Sequence, residues 1–458
     1  MTSPPQKVAI IGGGIVGLTA AHALAARGVS VTVFEAGNEV GGAISTVRDG
    51  EWLVERGPNT LLLRDNTCDA LFTEIGLDSS LILANPEAER RFIVRYGKPQ
   101  ALPSSLWGAV TTPIFRFSGK LRVLMEPFIP QNRHNPDEML DSFARRRVGQ
   151  EFLDYAVNPF IGGVYSCSPE ELCVRHALPR LWRLEQNHGS LVAGTIALMR
   201  ARKKSGVKTK TRLVSFKEGL VELPRALARS LGGAVRTGAH VHAISRADGW
   251  KLLGEERGEH FEETFANVLI CTTASAAADL EFAGTQPLAG LAAMPYTNVT
   301  SVALGFDRAD VAHALDGFGM LVPAKEGHKI LGTLFSSTLF PGRAPEGKVL
   351  LTTFVGGRQP EIAALPDDEL LATILGEFAT ILGVSAKPVF QRITRWPRAI
   401  PKYGADFPRY VGLMEQFEKD HPGIQIAGHM RNGISLPDCI NAGRAAAERV
   451  MEASPPVV

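Results

Sequence analysis

A glycine-rich segment near the N-terminus constrains the fold of this 458-residue chain more than any other feature. Residues 8–11 form a short apolar run that leads directly into Gly-Gly-Gly-Ile-Val-Gly at residues 12–17. An alanine- and leucine-rich stretch without proline comes next and ends at Gly28, and residues 31–35 form a second strand-like run that ends in Glu35. This order of strand, glycine turn, helix, strand and acidic residue predicts a βαβ unit that binds a dinucleotide.

Each residue type in this segment has a physical role in such a site. Gly12 permits a tight turn, Gly14 lets a pyrophosphate approach the backbone, and Gly17 lets the helix pack closely on the strand. The unpaired N–H groups at the helix N-terminus attract the phosphates. Glu35 lies 18 positions after Gly17, where its carboxylate would accept hydrogen bonds from both ribose hydroxyls and repel a 2′-phosphate. NADP is therefore disfavoured.

The choice between NAD and FAD depends on the residues that come after the βαβ unit. Gly41 and Gly42 precede Ala43 and again allow backbone to lie against a cofactor. Glycine pairs also form ordinary turns, so these residues by themselves leave the choice open.

The nucleotide-binding fold is expected to continue in later parts of the chain. Residues 213–244 predict a strand, a helix and a further strand, and the apolar run at 267–271 predicts one more. Residues 424–428 form another strand-like run, and residues 433–439 lead into an alanine-rich helix over 440–451. This last helix offers a second N-terminus to the cofactor. We therefore expect one sheet that is assembled from separate segments.

The rest of the chain predicts two further parts of an α/β protein. Its long middle segment alternates strand-like runs, such as residues 349–355, with a helix over about 367–382, and the block before it is mostly helical. The three parts are expected to be a Rossmann-like nucleotide-binding domain (1–84, 210–276 and 395–458), an α+β substrate lobe (85–98 and 277–394) and a helical lobe (99–209).

Composition and charge exclude several other classes of protein. Lys and Arg number 49 against 47 Asp and Glu, a net charge of +2, so no global positive field favours nucleic acid. The five cysteines contain no Cys-x-x-Cys pair, which argues against a disulfide framework or a zinc site, and His240 and His242 have no third ligand nearby in the sequence. Without a signal-peptide pattern or an apolar stretch of about 18 residues, the chain is expected to be cytoplasmic and to lack a transmembrane helix.

Several segments spread along the chain match one family of flavoenzymes in sequence and in order. They are Glu35 with Gly41 and Gly42, residues 57–60 (GPNT), 159–165 (PFIGGVY), 181–194, 400–403 (IPKY) and 433–439 (GISLPDC). Through these segments nearly the whole chain resembles the protoporphyrinogen oxidases of the flavin amine oxidase superfamily. Two positions depart from the family pattern: Lys402 stands where glutamine is usual, and Pro437 stands where asparagine is frequent.

The resemblance implies that the cofactor is FAD, bound noncovalently and mostly through backbone contacts. The positions that match FAD contacts of the family are Gly12, Gly13, Gly14, Ile15, Val16, Gly17, Glu35, Gly41, Gly42, Ala43, Gly57, Pro58, Asn59, Thr60, Val241, Gly433, Ile434 and Ser435. It implies no metal ion, and no residue stands out as a general base.

The resemblance also implies a reaction. The family oxidises protoporphyrinogen IX to protoporphyrin IX in haem biosynthesis, removing six electrons in three flavin cycles with dioxygen as acceptor and hydrogen peroxide as product. The isoalloxazine carries the chemistry, while the protein supplies orientation and electrostatics. Coproporphyrinogen III, which has the same macrocycle with four propionates, is the nearest alternative substrate. A superfamily amine oxidase, a carotenoid desaturase and a flavoprotein that holds porphyrins without turnover are further alternatives.

Substrate recognition is expected to need an apolar slot and a cation, because a porphyrinogen is a large apolar macrocycle whose permanent charges are propionate carboxylates. Arg91 matches the family position whose guanidinium faces a propionate, and a planar guanidinium suits a carboxylate better than an ammonium does. A surface arginine paired with Glu87 or Glu89 is the alternative. The positions expected to line the slot are Gly163, Phe318, Leu321 and Phe354.

The helical lobe carries apolar and basic residues in a mixture that suits a membrane interface. Leu106, Trp107, residues 113–117 (PIFRF), Lys120 and Arg122 form this mixture, and it predicts peripheral contact with the inner face of the membrane. The alternative is that these residues fold into an ordinary core. A homodimer is likewise left open against a monomer.

Overall fold

The structure, a computed structural model, describes residues 7–64, 66–133, 135–205 and 211–452. Its strands are β1 (Lys7–Ile11), β2 (Ser30–Glu35), β3 (Thr46–Asp49), β4 (Trp52–Glu55), β5 (Leu61–Leu63), β6 (Leu81–Leu83), β7 (Arg91–Arg95), β8 (Lys98–Ala101), β9 (Arg212–Phe216), β10 (Val235–Thr237), β11 (Ala239–Ala247), β12 (Gly249–Glu256), β13 (Glu259–Phe265), β14 (Asn267–Ile270), β15 (Glu281–Phe282), β16 (Val299–Asp307), β17 (Gly319–Leu321), β18 (Gly332–Phe335), β19 (Lys348–Gly356), β20 (Phe390–Trp396) and β21 (Ile424–Ile426).

Helices occupy much of the remaining chain, joined by short 3₁₀ turns and one π-helical segment. They are α1 (Ile15–Ala25), α2 (Asp69–Glu74), α3 (Leu106–Thr111), α4 (Phe117–Leu124), α5 (Leu140–Arg147), α6 (Gln150–Phe152), α7 (Asn158–Val164), α8 (Val174–Ala177), α9 (Pro179–His188), α10 (Leu191–Ser205), α11 (Glu222–Leu231), α12 (Ala274–Ala278), α13 (Ser336–Leu339), α14 (Pro360–Ala363), α15 (Asp367–Leu382), α16 (Phe407–Asp420), α17 (His429–Asn432) and α18 (Leu436–Glu452).

A five-stranded parallel sheet forms the nucleotide-binding part, with the strand order β10, β2, β1, β14, β21. The prediction of a βαβ unit followed by later strands of the same sheet is confirmed for β10, β14 and β21. Both faces of the sheet are covered, because Val8 and Ile10 on β1 pack in one core with helices α1 and α18, while Ala9 and Ile11 pack in another. Burial on both faces explains why these strands are continuously apolar in sequence.

The predicted strand at the start of residues 213–244 lies outside this sheet, and the single strand predicted at the end of that segment is divided at Gly238 into β10, inside the sheet, and β11, outside it. β9 pairs with β5 and β6 in a three-stranded sheet, and β11 belongs to a separate four-stranded sheet with the order β13, β12, β11, β15. The physical reason is visible in β11, where Ala239 and Val241 are buried while His240 and His242 are exposed. A strand with one apolar and one polar face suits an antiparallel sheet with a solvated side.

A seven-stranded sheet with the order β20, β16, β19, β18, β17, β7, β8 forms the middle of the chain's fold. Helix α15 covers one face, where Leu304 and Leu351 pack with Phe378. On the opposite face Ala303 and Leu350 pack against β4. β7 and β8, which come from residues 91–101, extend the sheet beside β17, so an early segment of the chain forms one edge of this sheet.

The helical part, α3 to α10, is organised around a buried group of charges. Arg147 is fully buried and donates hydrogen bonds to Glu185 and, at 3.1 Å, to Glu126. Glu126 in turn accepts from Ser190 Oγ and from the backbone N–H of Leu191 at the start of α10. Each buried charge therefore has a partner of opposite sign, as burial requires.

The segment 113–117 is only partly available for the predicted membrane contact. Ile114 and Phe115 are buried, and Phe115 stacks on Phe152 with ring centroids 3.9 Å apart. The prediction is wrong for these two residues, because the chain turns them into the lobe's own core, whereas Phe117 is exposed. Among the described residues, every helix is too short or too polar to cross a bilayer.

Candidate cofactor and substrate site

The glycine turn after β1 has the geometry that its residues predict. Gly12 has φ +111°, which disfavours any other residue, and a Cβ on Gly17 would lie 2.1 Å from the carbonyl oxygen of Gly12. Helix α1 therefore packs so closely on the turn that only glycine fits at residue 17. A Cβ on Gly14 would meet no atom within 4 Å, so a ligand has room to approach the backbone there.

Glu35 is held at this turn by two backbone hydrogen bonds. Its Oε2 accepts from the N–H of Gly13 at 2.7 Å, and its Oε1 accepts from the N–H of Gly37 at 2.8 Å. The carboxylate consequently lies beside the turn with a fixed orientation, where lone pairs remain for ribose hydroxyls.

Two further glycine segments adjoin the same turn. The N–H of Gly41 donates to the carbonyl of Gly13 at 2.9 Å, and the Cα of Gly14 lies 3.7 Å from the position that a Cβ on Gly42 would occupy. A Cβ on Gly57 would lie 2.0 Å from the carbonyl oxygen of Ala43. The positions Ile15 and Val16, which start α1, and Pro58, Asn59 and Thr60, which come after Gly57, thus belong to one neighbourhood.

The C-terminal segment reaches the same edge of the parallel sheet. β21 runs parallel to β14, so its carboxyl end and residues 427–435 lie at the edge where β1 also ends. Helix α18 packs on α1 so closely that a Cβ on Gly443 would lie 2.5 Å from the carbonyl oxygen of Val16. Gly433, Ile434 and Ser435 form the turn before α18, and Pro437 lies in its first turn, where proline needs no backbone donor.

Val241, the remaining predicted cofactor contact, lies on β11 and is buried. Its strand begins next to the end of β2, because the N–H of Gly238 donates to the carbonyl of Gly37 at 2.8 Å. The turn at residues 12–17, Glu35 and the segments at 41–43 and 57–60 are therefore brought together from distant parts of the sequence. Residues 433–435 lie just before the helix that packs on α1, and Val241 lies on the strand that begins beside the end of β2.

The predicted slot residues lie on the face of the seven-stranded sheet opposite α15. Arg91 pairs in register with Gly319, and Leu321 pairs with Gly332, which pairs with Phe354. Residues that are directly paired, or two apart on one strand, share a face of a sheet. Arg91, Leu321 and Phe354 therefore project from one surface.

Arg91 is exposed and has no carboxylate within 4.0 Å among the described residues, so the alternative of a pair with Glu87 or Glu89 is not found. Its neighbour Arg90 instead forms an ion pair with Asp316. The guanidinium of Arg91 lies 5.5 Å from the ring centroid of Phe318, whose N–H donates to the carbonyl of Arg90 at 2.7 Å. A guanidinium that is open to a ligand is thus held beside an aromatic ring.

Helix α7 brings the predicted slot residue Gly163 against Leu321. A Cβ on Gly163 would lie 2.4 Å from Leu321 Cδ2. The helical lobe therefore contacts the seven-stranded sheet at Leu321, and glycine is needed at residue 163 because Leu321 occupies the adjacent space.

A cluster of aromatic and histidine groups near Gly433 was not predicted. Tyr403 donates its hydroxyl to the carbonyl of His429 and accepts from the N–H of Gly433 at 3.2 Å. Tyr296 Oη lies 3.4 Å from His429 Nε2. Burial raises the pKa of Tyr403 well above its usual value and lowers the pKa of His429, so both groups are neutral. Only Tyr403, in the segment IPKY, carried a signal in the sequence.

A buried ion pair close to Asn59 was also missed. Arg343 Nη2 lies 3.6 Å from Glu55 Oε1, and both line a small cavity together with Asn59, Ser336 and Thr352. Burial raises the pKa of Glu55 to about 7, although the charge of Arg343 opposes this shift. No local pattern could reveal the pair, because the partners are far apart in sequence.

Two further side-chain clusters concern the departure from the family pattern at Lys402 and the expected absence of a metal ion. Lys402, the departure from the family pattern, forms an ion pair with Glu171. Asp137, Cys173 and His176 place one potential metal ligand each within 4.8 Å of one another, a group that no sequence pattern indicated. The carboxylate of Asp137 already has a counter-charge in Arg175 at 3.7 Å, while burial lowers the pKa of His176, which lies 3.5 Å from the carboxylate.

Comparisons with known proteins place the chain among flavoenzymes. Residues 15–451 match the family model for flavin containing amine oxidoreductases. Protoporphyrinogen oxidase 2, chloroplastic/mitochondrial, of Arabidopsis thaliana is 32% identical over 97% of this chain and 94% of that protein. Coproporphyrinogen III oxidase of Bacillus subtilis (strain 168) is 28% identical over 97% of this chain and 98% of that protein.

Solved structures show the same fold. A crystal structure of a protein from Exiguobacterium sp. 255-15 has a TM-score of 0.80 at 24% identity and covers 98% of this chain and 100% of that chain. Putrescine oxidase has a TM-score of 0.67 at 15% identity, with 98% of this chain and 99% of that chain covered.

Proposed function

The chain belongs to the flavin containing amine oxidoreductase family and is an FAD-dependent oxidase, and on this basis we propose that it oxidises a porphyrinogen to the porphyrin in haem biosynthesis. The observation that carries the proposal is Arg91, a guanidinium that has no carboxylate partner among the described residues and lies beside Phe318, on the same sheet face as Leu321. A cation at the border of an apolar surface suits a flat apolar macrocycle with carboxylate side chains. The relatives named for protoporphyrinogen and coproporphyrinogen oxidation support the same substrate class.

The residues around the glycine turn fit FAD. Gly14 leaves open space at the turn, and the carboxylate of Glu35 is oriented beside it, as a pyrophosphate and a ribose require. Residues 41–43, 57–60 and 433–435 would add backbone contacts. When bound, FAD would supply the acceptor for the electrons of the substrate, with dioxygen as the final acceptor.

The protein's own contribution is binding and orientation. Arg91 holds one propionate and thereby fixes the rotation of the macrocycle. Leu321, Phe354 and Phe318 exclude water from its face, and Gly163 keeps the slot open by lacking a side chain. Positioning of this kind accounts for much of the catalysis when the cofactor carries the chemistry.

Anaerobic stopped-flow mixing tests the proposal. The FAD-loaded protein should show loss of oxidised-flavin absorbance when it is mixed with protoporphyrinogen or coproporphyrinogen, and hydrogen peroxide should appear when air is admitted. A steady-state comparison of kcat/KM for the two substrates then identifies the preferred one. A flavin that stays oxidised with both substrates but is reduced by amines would contradict the proposal.

An exposed apolar patch on the helical lobe supports peripheral membrane contact. Trp107, Phe117 and Phe128 are 76%, 82% and 84% exposed, and they belong to α3, α4 and the turn after α4. The patch also includes Val110, Leu121, Leu124, Met125, Ile196, Leu198 and Met199, all exposed. Helix α10 packs against the turn that holds Phe128, so its exposed apolar residues lie on the same lobe as the patch.

The charges around this patch favour a lipid surface over a protein partner. Lys203 and Lys204 lie exposed on α10 and can meet anionic headgroups, while Lys120 donates to the carbonyls of Val110 and Thr112 and tethers α4 to the end of α3. Large exposed aromatic residues with neighbouring lysines are typical of helices that lie in a membrane interface. These features support a helical lobe that rests on the membrane surface.

Liposome cosedimentation tests the membrane contact. The Trp107→Ser/Phe117→Ser/Phe128→Ser variant should lose binding to anionic vesicles that the wild type binds, while Leu83→Ser, a change at an exposed apolar residue outside the lobe, should not. Sedimentation equilibrium of the same variants, without lipid, separates a homodimer from a lipid contact. A wild type that dimerises through this patch and ignores vesicles would overturn the proposal.

A further inference from the structure

A second arginine beside the slot, Arg358, has no carboxylate partner in the part of the chain that the structure describes. It lies after β19 and after Gly356 and Gly357, whose φ values of +100° and +60° turn the chain back toward α7. Nη1 of Arg358 lies 3.6 Å from the position that a Cβ on Gly162 would occupy. The guanidinium donates to the carbonyl of His328 at 3.5 Å, the outer limit for a hydrogen bond.

The environment of Arg358 is unfavourable for a cation without a counter-charge. The side chain is half-buried, and burial lowers the pKa of the guanidinium. The carboxylate of Glu377, near His328, is occupied by His328 Nδ1 and by the N–H of Lys329. Binding of an anion to a partly desolvated guanidinium without a counter-charge is therefore favourable.

Two buried arginines of this chain, in contrast, have a carboxylate nearby. Arg147 pairs with Glu126 and Glu185, and Arg343 lies near Glu55. The half-buried Arg122 and Arg308 also lack a carboxylate partner among the described residues, but each donates at least two hydrogen bonds to backbone carbonyls. Arg358 has the one long bond to His328, and it lies next to Gly162, the neighbour of Gly163.

Arg91 and Arg358 approach the slot from opposite sides of Leu321. In the sheet order β19, β18, β17, β7, Arg91 lies on β7 and Arg358 lies just after β19, so the two strands are three spacings apart. Three spacings correspond to roughly 14 Å across the sheet. Along the strands Arg91 is level with Thr352, six positions before Arg358, so the two residues are also offset in that direction. Arg91 and Arg358 are therefore far enough apart to bind different carboxylates of one ligand, with the apolar side chain of Leu321 on a strand between them.

We infer that Arg358 is a second carboxylate-binding residue, which holds one propionate of the porphyrinogen while Arg91 holds another. This inference rests on the proposed function. It adds a requirement on the substrate, which must present two carboxylates on different pyrroles. With both ends held, the macrocycle has one orientation in the slot.

Porphyrin binding to the FAD-loaded protein tests the inference without turnover. The Kd for protoporphyrin IX and for its dimethyl ester is measured by fluorescence quenching in the wild type, Arg358→Ala, Arg91→Ala and the double variant. Arg358→Ala should weaken binding of the free acid by about tenfold to a hundredfold and leave the ester unchanged. The double variant should show the product of the two losses, since the two arginines hold separate carboxylates.

Three matched measurements separate the possible failures. Arg358→Lys should restore part of the affinity for the free acid, and Arg229→Ala, at an exposed position on α11, should change nothing. Equal losses for acid and ester in Arg358→Ala would show a packing role and overturn the inference, while porphyrinogen-dependent flavin reduction in the wild type would still support the function. A wild type that neither binds porphyrin nor has its flavin reduced by porphyrinogen would overturn the function itself.

Discussion

Glu35 Oε2 and the backbone N–H of Gly13 are joined by a hydrogen bond of 2.7 Å. This bond fixes the carboxylate at the end of β2 to the turn after β1, although the two residues lie 22 positions apart. The carboxylate of Glu35, which is expected to bind the ribose, and the turn at residues 12–17, which is expected to bind the phosphates, therefore hold each other in position. A change at one is expected to disturb the other.

Glu35→Ala should therefore weaken FAD binding by two effects. It removes the acceptor for the ribose hydroxyls, and it leaves the N–H groups of Gly13 and Gly37 without their partner. We expect the Kd of the apoprotein for FAD to rise on the order of tenfold to a hundredfold. Isothermal titration measures it, with Glu39→Ala, on the same loop but paired only at the surface with Arg225, as the control. Equal affinities of wild type and Glu35→Ala would refute the role.

Arg91→Ala should leave FAD bound while it lowers kcat/KM. A charged hydrogen bond to a carboxylate contributes roughly 1.5–3 kcal/mol, so the loss should be on the order of tenfold to a hundredfold. Arg90→Ala is the matched control, because Arg90 is paired with Asp316. With esterified propionates, wild type and Arg91→Ala should converge. An equal deficit on acid and ester would assign Arg91 another role.

Gly163→Ala should narrow the slot. The new Cβ would lie 2.4 Å from Leu321 Cδ2, so the leucine must move into the space proposed for the substrate. Overpacking of this kind costs about 1–3 kcal/mol, and we expect KM to rise about tenfold with FAD content unchanged. Leu321→Ala in the same background should restore KM. Gly376→Ala, at an open position on α15, is the control, and a double variant no better than Gly163→Ala would contradict the explanation.

Glu55 should make stability depend on pH. Burial raises its pKa from the usual 4.5 to about 7, so the folded state holds this proton more tightly than the unfolded state does. The group's contribution to the unfolding free energy is therefore complete below about pH 4.5 and is lost as the pH rises through 7. At 1.36 kcal/mol per unit, it amounts to roughly 3 kcal/mol at most.

Urea unfolding of wild type and Glu55→Gln at pH 5 and pH 8 measures this contribution. The difference between the two proteins should change with pH, because glutamine does not titrate. Differences that are the same at both pH values would show that Glu55 keeps an ordinary pKa.

The βαβ unit and its glycine turn could be predicted from the amino-acid sequence alone. The reason is that these features are local: Gly12 is required by a positive φ and Gly17 by contact with the preceding turn, so both requirements appear within a few residues. Helix α15 and the strands β14 and β21 were likewise predictable, because their apolar patterns reflect burial that does not depend on the identity of the partner.

Packing of the whole chain determines which strands share a sheet and which side chains meet. β9 and β11 have good strand patterns, yet a strand pattern does not specify a partner, and both lie outside the parallel sheet. No pattern in the amino-acid sequence of residues 113–117 indicates that Ile114 and Phe115 are buried while Phe117 is exposed.

The least predictable features are contacts between residues that are distant in sequence. Arg343 meets Glu55, and Tyr296 meets His429, without any motif at either position. The role inferred for Arg358 could not be predicted from the sequence. Arg358 lies beside Gly162 because α7 packs against the end of β19, and only this packing shows that it has no counter-charge among the described residues. Local sequence sets backbone conformation, but the pairing and desolvation of charges are properties of the whole fold.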